Sequence, residues 1–164
     1  MEEKERLNLL YSIFKLIAKK DIDMSSFNDR LKLQKITYII ISAGINLDYK
    51  FGWHLRGPYS SLLASDGFML SNNSQSYIDV GYRIPEYCQK KIEEVRENFG
   101  SDLSDTSDTN MMELYSSILY IVNRGEKISD EKIIQYVKNR KPWFDEQTIK
   151  KALDKIRDSK IFSI

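Results

Sequence analysis

The chain has 164 residues, of which 41% are hydrophobic and 30% charged, with a formal net charge of +1. That length holds one domain, or one domain with a small helical appendage, and the composition is that of a globular protein rather than a disordered or fibrous one. Cys88 is the single cysteine, which excludes an intramolecular disulfide and a cysteine-based zinc site and points to a reducing interior.

In chain order, Glu3 to Lys20 reads as an amphipathic helix with Leu7, Leu10, Phe14 and Ile17 on one face. Asp21 to Ser25 connects it to a second helix. Ser26 caps that helix, with Asp29 at the capping-box position, and Gly44 stops it. Its expected inward face is Leu33, Ile36, Ile39, Ile40 and Ala43. Tyr49, Phe51, Trp53 and Leu55 then alternate with Lys50, Gly52, His54 and Arg56, the period of a half-buried strand. Gly57-Pro58 is expected to end the strand, because proline donates nothing to a ladder. Tyr59 to Leu70 reads as a short helix capped by a hydroxyl. Beyond the polar run Ser71 to Ser76, Tyr77, Val80, Tyr82 and Ile84 mark a second extended segment, the expected partner of the first.

Pro85 opens a long helix through Ile92, Val95 and Phe99. Gly100 to Asp108 is polar, acidic and turn-rich, and is the linker candidate. Three helices follow: Asn110 to Asn123, Ser129 to about Asn139, and Asp145 to about Asp158. Lys160 to Ile164 is short enough to close as a strand. Helix, helix, turn, helix, strand is the order of a winged helix-turn-helix. The expected fold is thus mainly α (α+β): a helical domain over 1–100 with a small β-hairpin, and a winged-helix-like helical bundle over 110–164. The two halves are also compatible with one compact domain.

Leu33-Gln34-Lys35-Ile36 with Tyr38, the aromatic strand through Trp53, Gly57-Pro58-Tyr59-Ser60, Leu63 and Asp66 together resemble a known pattern. It is that of the YwgA-like proteins and the related Panacea (SocA-like antitoxin) domain, over roughly residues 30–70. Such proteins are compact, mainly helical and without a known active site. The resemblance implies an antitoxin or adaptor, encoded on or near a mobile element, that masks or delivers a partner protein such as a toxin or a protease substrate. The run Ser71 to Ser76 departs from the family's tidier turn.

His54 is the only imidazole, so a His-paired nucleophile would need Cys88 to reach it across the fold. Cys88 opens a helix, where a thiol pKa is sometimes depressed, but such a cysteine is more often a small buried hydrophobe. Asp102, Asp105 and Asp108 lack the glycine-centred loop of a calcium site. No motif requires a metal or cofactor, and no enzyme class is indicated. Trp53, His54, Arg56, Tyr59 and Ser60 form the candidate partner-binding set, since aromatics and arginine are enriched where interfaces carry their energy. By alternation, Phe51 and Trp53 face inward, and His54 and Arg56 outward. Asp66 is expected to accept from Arg56 or the turn amides. Lys141-Pro142-Trp143-Phe144 either staples the last helix or extends the partner surface.

The alternative is a DNA-binding regulator whose last helix presents Gln147, Lys150, Lys151 and Lys155. Asp145, Glu146, Asp154 and Asp158 on the same helix oppose phosphate contact. Charge is only mildly segregated: residues 86–108 carry 7 acidic against 3 basic side chains, and residues 124–160 carry 11 basic against 7 acidic. A homodimer is a further option. The charged first residues carry no apolar leader, and the longest apolar run, Ile36 to Ala43, is too short for a bilayer. The expected location is cytoplasmic, with no membrane partner.

Overall fold

The computed structural model describes residues 1–104 and 108–164. Among them the chain forms seven helices and one two-stranded antiparallel hairpin. The order is α1 (Glu3–Ala18), α2 (Phe27–Ser42), β1 (Gly52–His54), β2 (Gly57–Tyr59), α3 (Ser61–Tyr77), α4 (Glu86–Leu103), α5 (Asn110–Val122), α6 (Asp130–Arg140) and α7 (Glu146–Ser159). The fold is mainly α with a small hairpin, as expected.

Helices α2 and α5 form the axis. They pack on each other; α1, α3 and β2 lie against α2, and α6, α7 and β2 against α5. A helix surrounded on all sides cannot keep one polar face. Every residue from Leu31 to Ile40 is accordingly buried, as is every residue from Met112 to Leu119. The expected inward face of α2 was too narrow, since Gln34, Lys35, Thr37 and Tyr38 are buried too. A single apolar cluster runs from Leu7 in α1 to Phe162 near the C-terminus.

Local signals set most helix starts. The Ser26 hydroxyl accepts from the Asp29 amide and donates to its carboxylate. Ser60, Ser129 and the Asp145 carboxylate cap α3, α6 and α7 in the same way, each accepting from the amide three residues on. Gly44, with φ of 101°, follows α2 in the left-handed region that suits glycine.

The hairpin differs from expectation in its second strand. Gly57–Tyr59 pairs with Gly52–His54 across a turn at Leu55 and Arg56, with Trp53 opposite Pro58. Both strands of a two-stranded sheet are edges, which is where proline is tolerated. Leu55 sits at the tip and is 84% exposed rather than turned inward. Tyr77 instead ends α3, which continues through the serine-rich run with one non-helical residue, Asn73. Residues 78–85 form a loop. Asn8 holds it in place by donating to the Tyr77 carbonyl and accepting from the Asp79 amide.

Two further expectations are corrected. Residues 100–103 of the linker candidate belong to α4, and residues 105–107, Asp105 included, lie outside the described residues. The last residues form no strand. Ile161 and Phe162 are buried, and the Phe162 ring packs edge-on against Phe99 at 5.7 Å. The three C-terminal helices therefore lack a wing.

Asp66 staples the N-terminal half. Its carboxylate accepts from Arg6 Nε at 2.8 Å and from the Tyr49 hydroxyl at 2.7 Å, not from Arg56. That hydrogen bond raises the Arg6 pKa, while burial and the adjacent carboxylate raise that of Tyr49. Breaking a buried pair strands the remaining charge. Asp66→Ala is expected to cost about 3 kcal/mol in urea melts, while half-exposed Arg56→Ala costs less than about 1 kcal/mol.

Candidate functional site

The site lies where α2, α5 and the end of α6 meet the hairpin. Three fully buried charged side chains converge there: Lys35, Glu113 and Lys141. The Lys35 ammonium donates to the Pro58 carbonyl at 2.7 Å. The Lys141 ammonium donates to Glu113 Oε1 at 2.7 Å and to the Leu55 carbonyl at 3.5 Å. It also lies 5.7 Å from the Trp53 ring centre and 5.3 Å from that of Trp143, within cation–π range of both. Arg56 approaches the other Glu113 oxygen at 3.8 Å from the half-exposed rim.

Gln34 makes a two-point clamp on the corner. Its amide nitrogen donates to the Ser60 carbonyl at 2.9 Å, and its amide oxygen accepts from the Ser60 N–H at 2.8 Å. Two of the residues singled out on α2, Gln34 and Lys35, thus bind the two carbonyls that flank Tyr59. Next to them, Tyr38 packs edge-on against Phe51 at 4.9 Å. The α2 motif and the hairpin corner are therefore one constellation.

Gly57 has φ of 95°, and a Cβ there would stand 2.7 Å from Ser117 Oγ and 3.5 Å from Lys35 Nζ. The backbone approaches the cluster as closely as only glycine permits. The Ser117 hydroxyl is buried without a hydrogen-bond partner among the described residues. Burial pushes Lys35 down from 10.5 to about 7, with Glu113 opposing the shift and Lys141 adding to it.

Outside the hairpin lies a groove of about 620 Å³, lined by Phe27, Arg30, Leu31 and Lys35 of α2, by the tip residues His54 to Gly57 and Tyr59, and by Ala64 and Phe68 of α3. Phe27, Leu55, Tyr59 and Phe68 are exposed although large and apolar. A smaller depression of about 520 Å³ between the end of α5 and α6 mixes Arg124, Lys127 and Lys132 with Glu126 and shares no residue with the groove.

The candidate partner-binding residues divide. The His54 and Tyr59 rings meet at 4.9 Å, tilted by 57°, on the outer face, and Arg56 is half exposed with its guanidinium 5.9 Å from the Trp143 ring centre. Trp53 is half-buried against Tyr120 and Tyr136. Ser60 is buried, with its hydroxyl on the Leu63 amide and its backbone on Gln34, so it shapes the corner and offers nothing to a partner. Of the Lys141 to Phe144 run, Lys141 and Phe144 are buried, as a staple requires, and Trp143 is half exposed. On α7, Gln147, Lys150 and Lys151 are exposed, but Asp154 and Asp158 share their face. Lys155 is engaged with Asp102 at 3.0 Å and lies over the Phe99 and Tyr115 rings.

Cys88 is buried, and burial raises its thiol pKa. Among the described residues, no group of three or more His, Cys, Asp or Glu side chains is placed to hold a metal ion, and no helix is long and apolar enough to cross a membrane. No family model matches the chain, and no curated protein or solved structure does so either.

Two outcomes follow from the cluster. Between pH 7 and the ordinary lysine value of 10.5, the unfolded chain holds the Lys35 proton and the folded chain releases it, so stability rises with pH across that window. Relative to Lys35→Met, the wild type is expected to gain about 2 kcal/mol from pH 7 to pH 9 in urea melts; parallel profiles would mean that Lys35 stays charged. Gly57→Ala is expected to cost about 1–3 kcal/mol, with part restored by adding Ser117→Ala, because the added methyl then meets no hydroxyl.

Proposed function

We propose that the chain is a non-catalytic protein-binding module of antitoxin or adaptor type, which captures a partner protein across the groove at the hairpin tip. The observation that carries this reading is the combination of exposed Phe27, Leu55, Tyr59 and Phe68 with Arg30, His54 and Arg56 around one concave surface. Apolar anchors within a polar rim are the usual anatomy of a protein interface. The direct contacts of Gln34 and Lys35 with the corner support applying the YwgA-like and Panacea resemblance to this chain. A small hairpin held by buried ions also gives a rigid platform, which lowers the ordering cost of binding.

The last helix supports the DNA-binding alternative less well. Lys155 is occupied by Asp102, and the carboxylates of Asp154 and Asp158 face the same solvent as Lys150 and Lys151.

Tagged protein is to be isolated from its native cell as wild type, as His54→Ala/Arg56→Ala, and as Lys150→Ala/Lys151→Ala. The expected outcome is a stoichiometric protein partner retained by the wild type and the lysine variant, and reduced at least about tenfold by the hairpin variant. A partner indifferent to the hairpin variant overturns the reading. So does a duplex bound through Lys150 and Lys151 with log affinity falling against log salt at a slope of about −2 to −4.

A further inference from the structure

We infer that the groove receives an amphipathic helix of the partner protein, whose apolar face carries one aspartate or glutamate seated on Arg56 at the rim, above the buried Lys35. This deepens the protein-binding reading and rests on it.

Main-chain pairing is closed off at the outer edge of β2. Pro58 has no N–H, its carbonyl is taken by Lys35, and both backbone groups of Ser60 are taken by Gln34. An extended peptide adding a strand needs such groups free. A helix satisfies its own backbone and asks the groove only for side-chain contacts, which Phe27, Leu55, Tyr59 and Phe68 supply.

Charge identifies the polar element. The groove is lined by Arg30, Lys35 and Arg56 together with His54, and by no carboxylate. Behind it Glu113 is paired with Lys141, so among the described residues no carboxylate pairs directly with Lys35, whose recorded acceptor is a neutral carbonyl. A buried ammonium without a counter-charge is costly, and an incoming carboxylate supplies what the fold withholds. Arg56, half exposed and 3.8 Å from Glu113, stands at the rim as the second donor.

The same arrangement makes binding pH-dependent. The charged and titratable groups around Lys35 are Arg30 on α2, His54, Arg56 and Tyr59 on the hairpin, Glu113 on α5, and Lys141 at the end of α6. Cations outnumber the single carboxylate among them, and Lys35 sheds its proton near neutral pH. A carboxylate ligand therefore favours the protonated form, and affinity falls as pH rises through about 7.

The test uses the intact protein and a displayed library of helical peptides about five turns long. Leucine or phenylalanine is fixed along one face, and all twenty residues are allowed at one central position within it. Selection at about pH 6 is expected to enrich Asp or Glu at that position. The selected peptide should bind at least about tenfold tighter than its Glu→Gln or Asp→Asn twin, with the ratio shrinking toward one at about pH 8.5. A mid-helix proline in the peptide should abolish binding. Lys35→Met should erase the pH dependence; the comparison of twins on wild-type protein holds even if that variant folds poorly.

Selection without acidic preference, no selection at all, twins of equal affinity, or a binder that tolerates proline each overturns the inference. Native-partner capture that still depends on His54 and Arg56 would then leave the protein-binding reading standing. Capture indifferent to both residues removes that reading itself.

Discussion

The structure depends on two buried ammonium groups set beside one buried carboxylate that pairs directly with only one of them. Lys35 enters the interior from α2 and Lys141 from the end of α6, and Glu113 on α5 pairs directly with Lys141 alone. The remaining demand for acceptors is met by the carbonyls of Leu55 in the hairpin turn and Pro58 in β2. Strands of three residues do not hold together alone in water. Here the lysines anchor the hairpin, and the hairpin in turn shields the lysines from water. Each condition requires the other, which fixes the position of the tip to within hydrogen-bond tolerance. Gly57 belongs to the same bargain: its positive φ and missing side chain let the backbone descend onto Lys35 and Ser117.

Energetically this is an odd way to build a core. Replacing a buried ion pair with apolar residues of similar volume often leaves stability unchanged or improves it. The groups around Asp66 follow the economical pattern, with one carboxylate, one guanidinium and one hydroxyl all satisfied. The Lys35 cluster does not, since it buries an ammonium with no direct ion pair and a serine hydroxyl with no hydrogen-bond partner among the described residues. Local departures from the lowest-energy solution concentrate where a surface has work to do. The location of this one, under the exposed corner and beside the largely apolar groove, is the physical reason for proposing recognition there rather than on α7.

What was legible in the sequence was what is local. The caps Ser26, Ser60, Ser129 and Asp145 are determined by residues three positions apart, and the helices they start were all expected. Inward Trp53 and outward His54 and Arg56 also followed from alternation. Leu55 did not, because the turn begins at Leu55 itself, where the period would still place the side chain inward. The second strand was assigned to Tyr77 through Ile84 because Pro58 was read as a stop. Three-residue strands are too short to show a period, and the pairing is fixed by contacts with α2 and α5 that no local pattern encodes.

The burial of Lys35, Glu113, Ser117 and Lys141 was the largest omission, and its cause is general. A lysine or glutamate on a helix belongs by default to solvent, and only the packing of α5 against α2 and the hairpin overrides that default. One signal was present. In Leu33-Gln34-Lys35-Ile36 the polar pair lies within a helix whose apolar residues occupy several faces, leaving no clear solvent side. In a helix enclosed all round, a polar residue must find a partner inside. For Gln34 and Lys35 that partner is the corner, so the α2 motif and the hairpin form one polar contact reached from two distant stretches of chain. The exposed aromatic groove is the outer surface of that contact, and its uncompensated positive charge is the imprint of the lysine beneath.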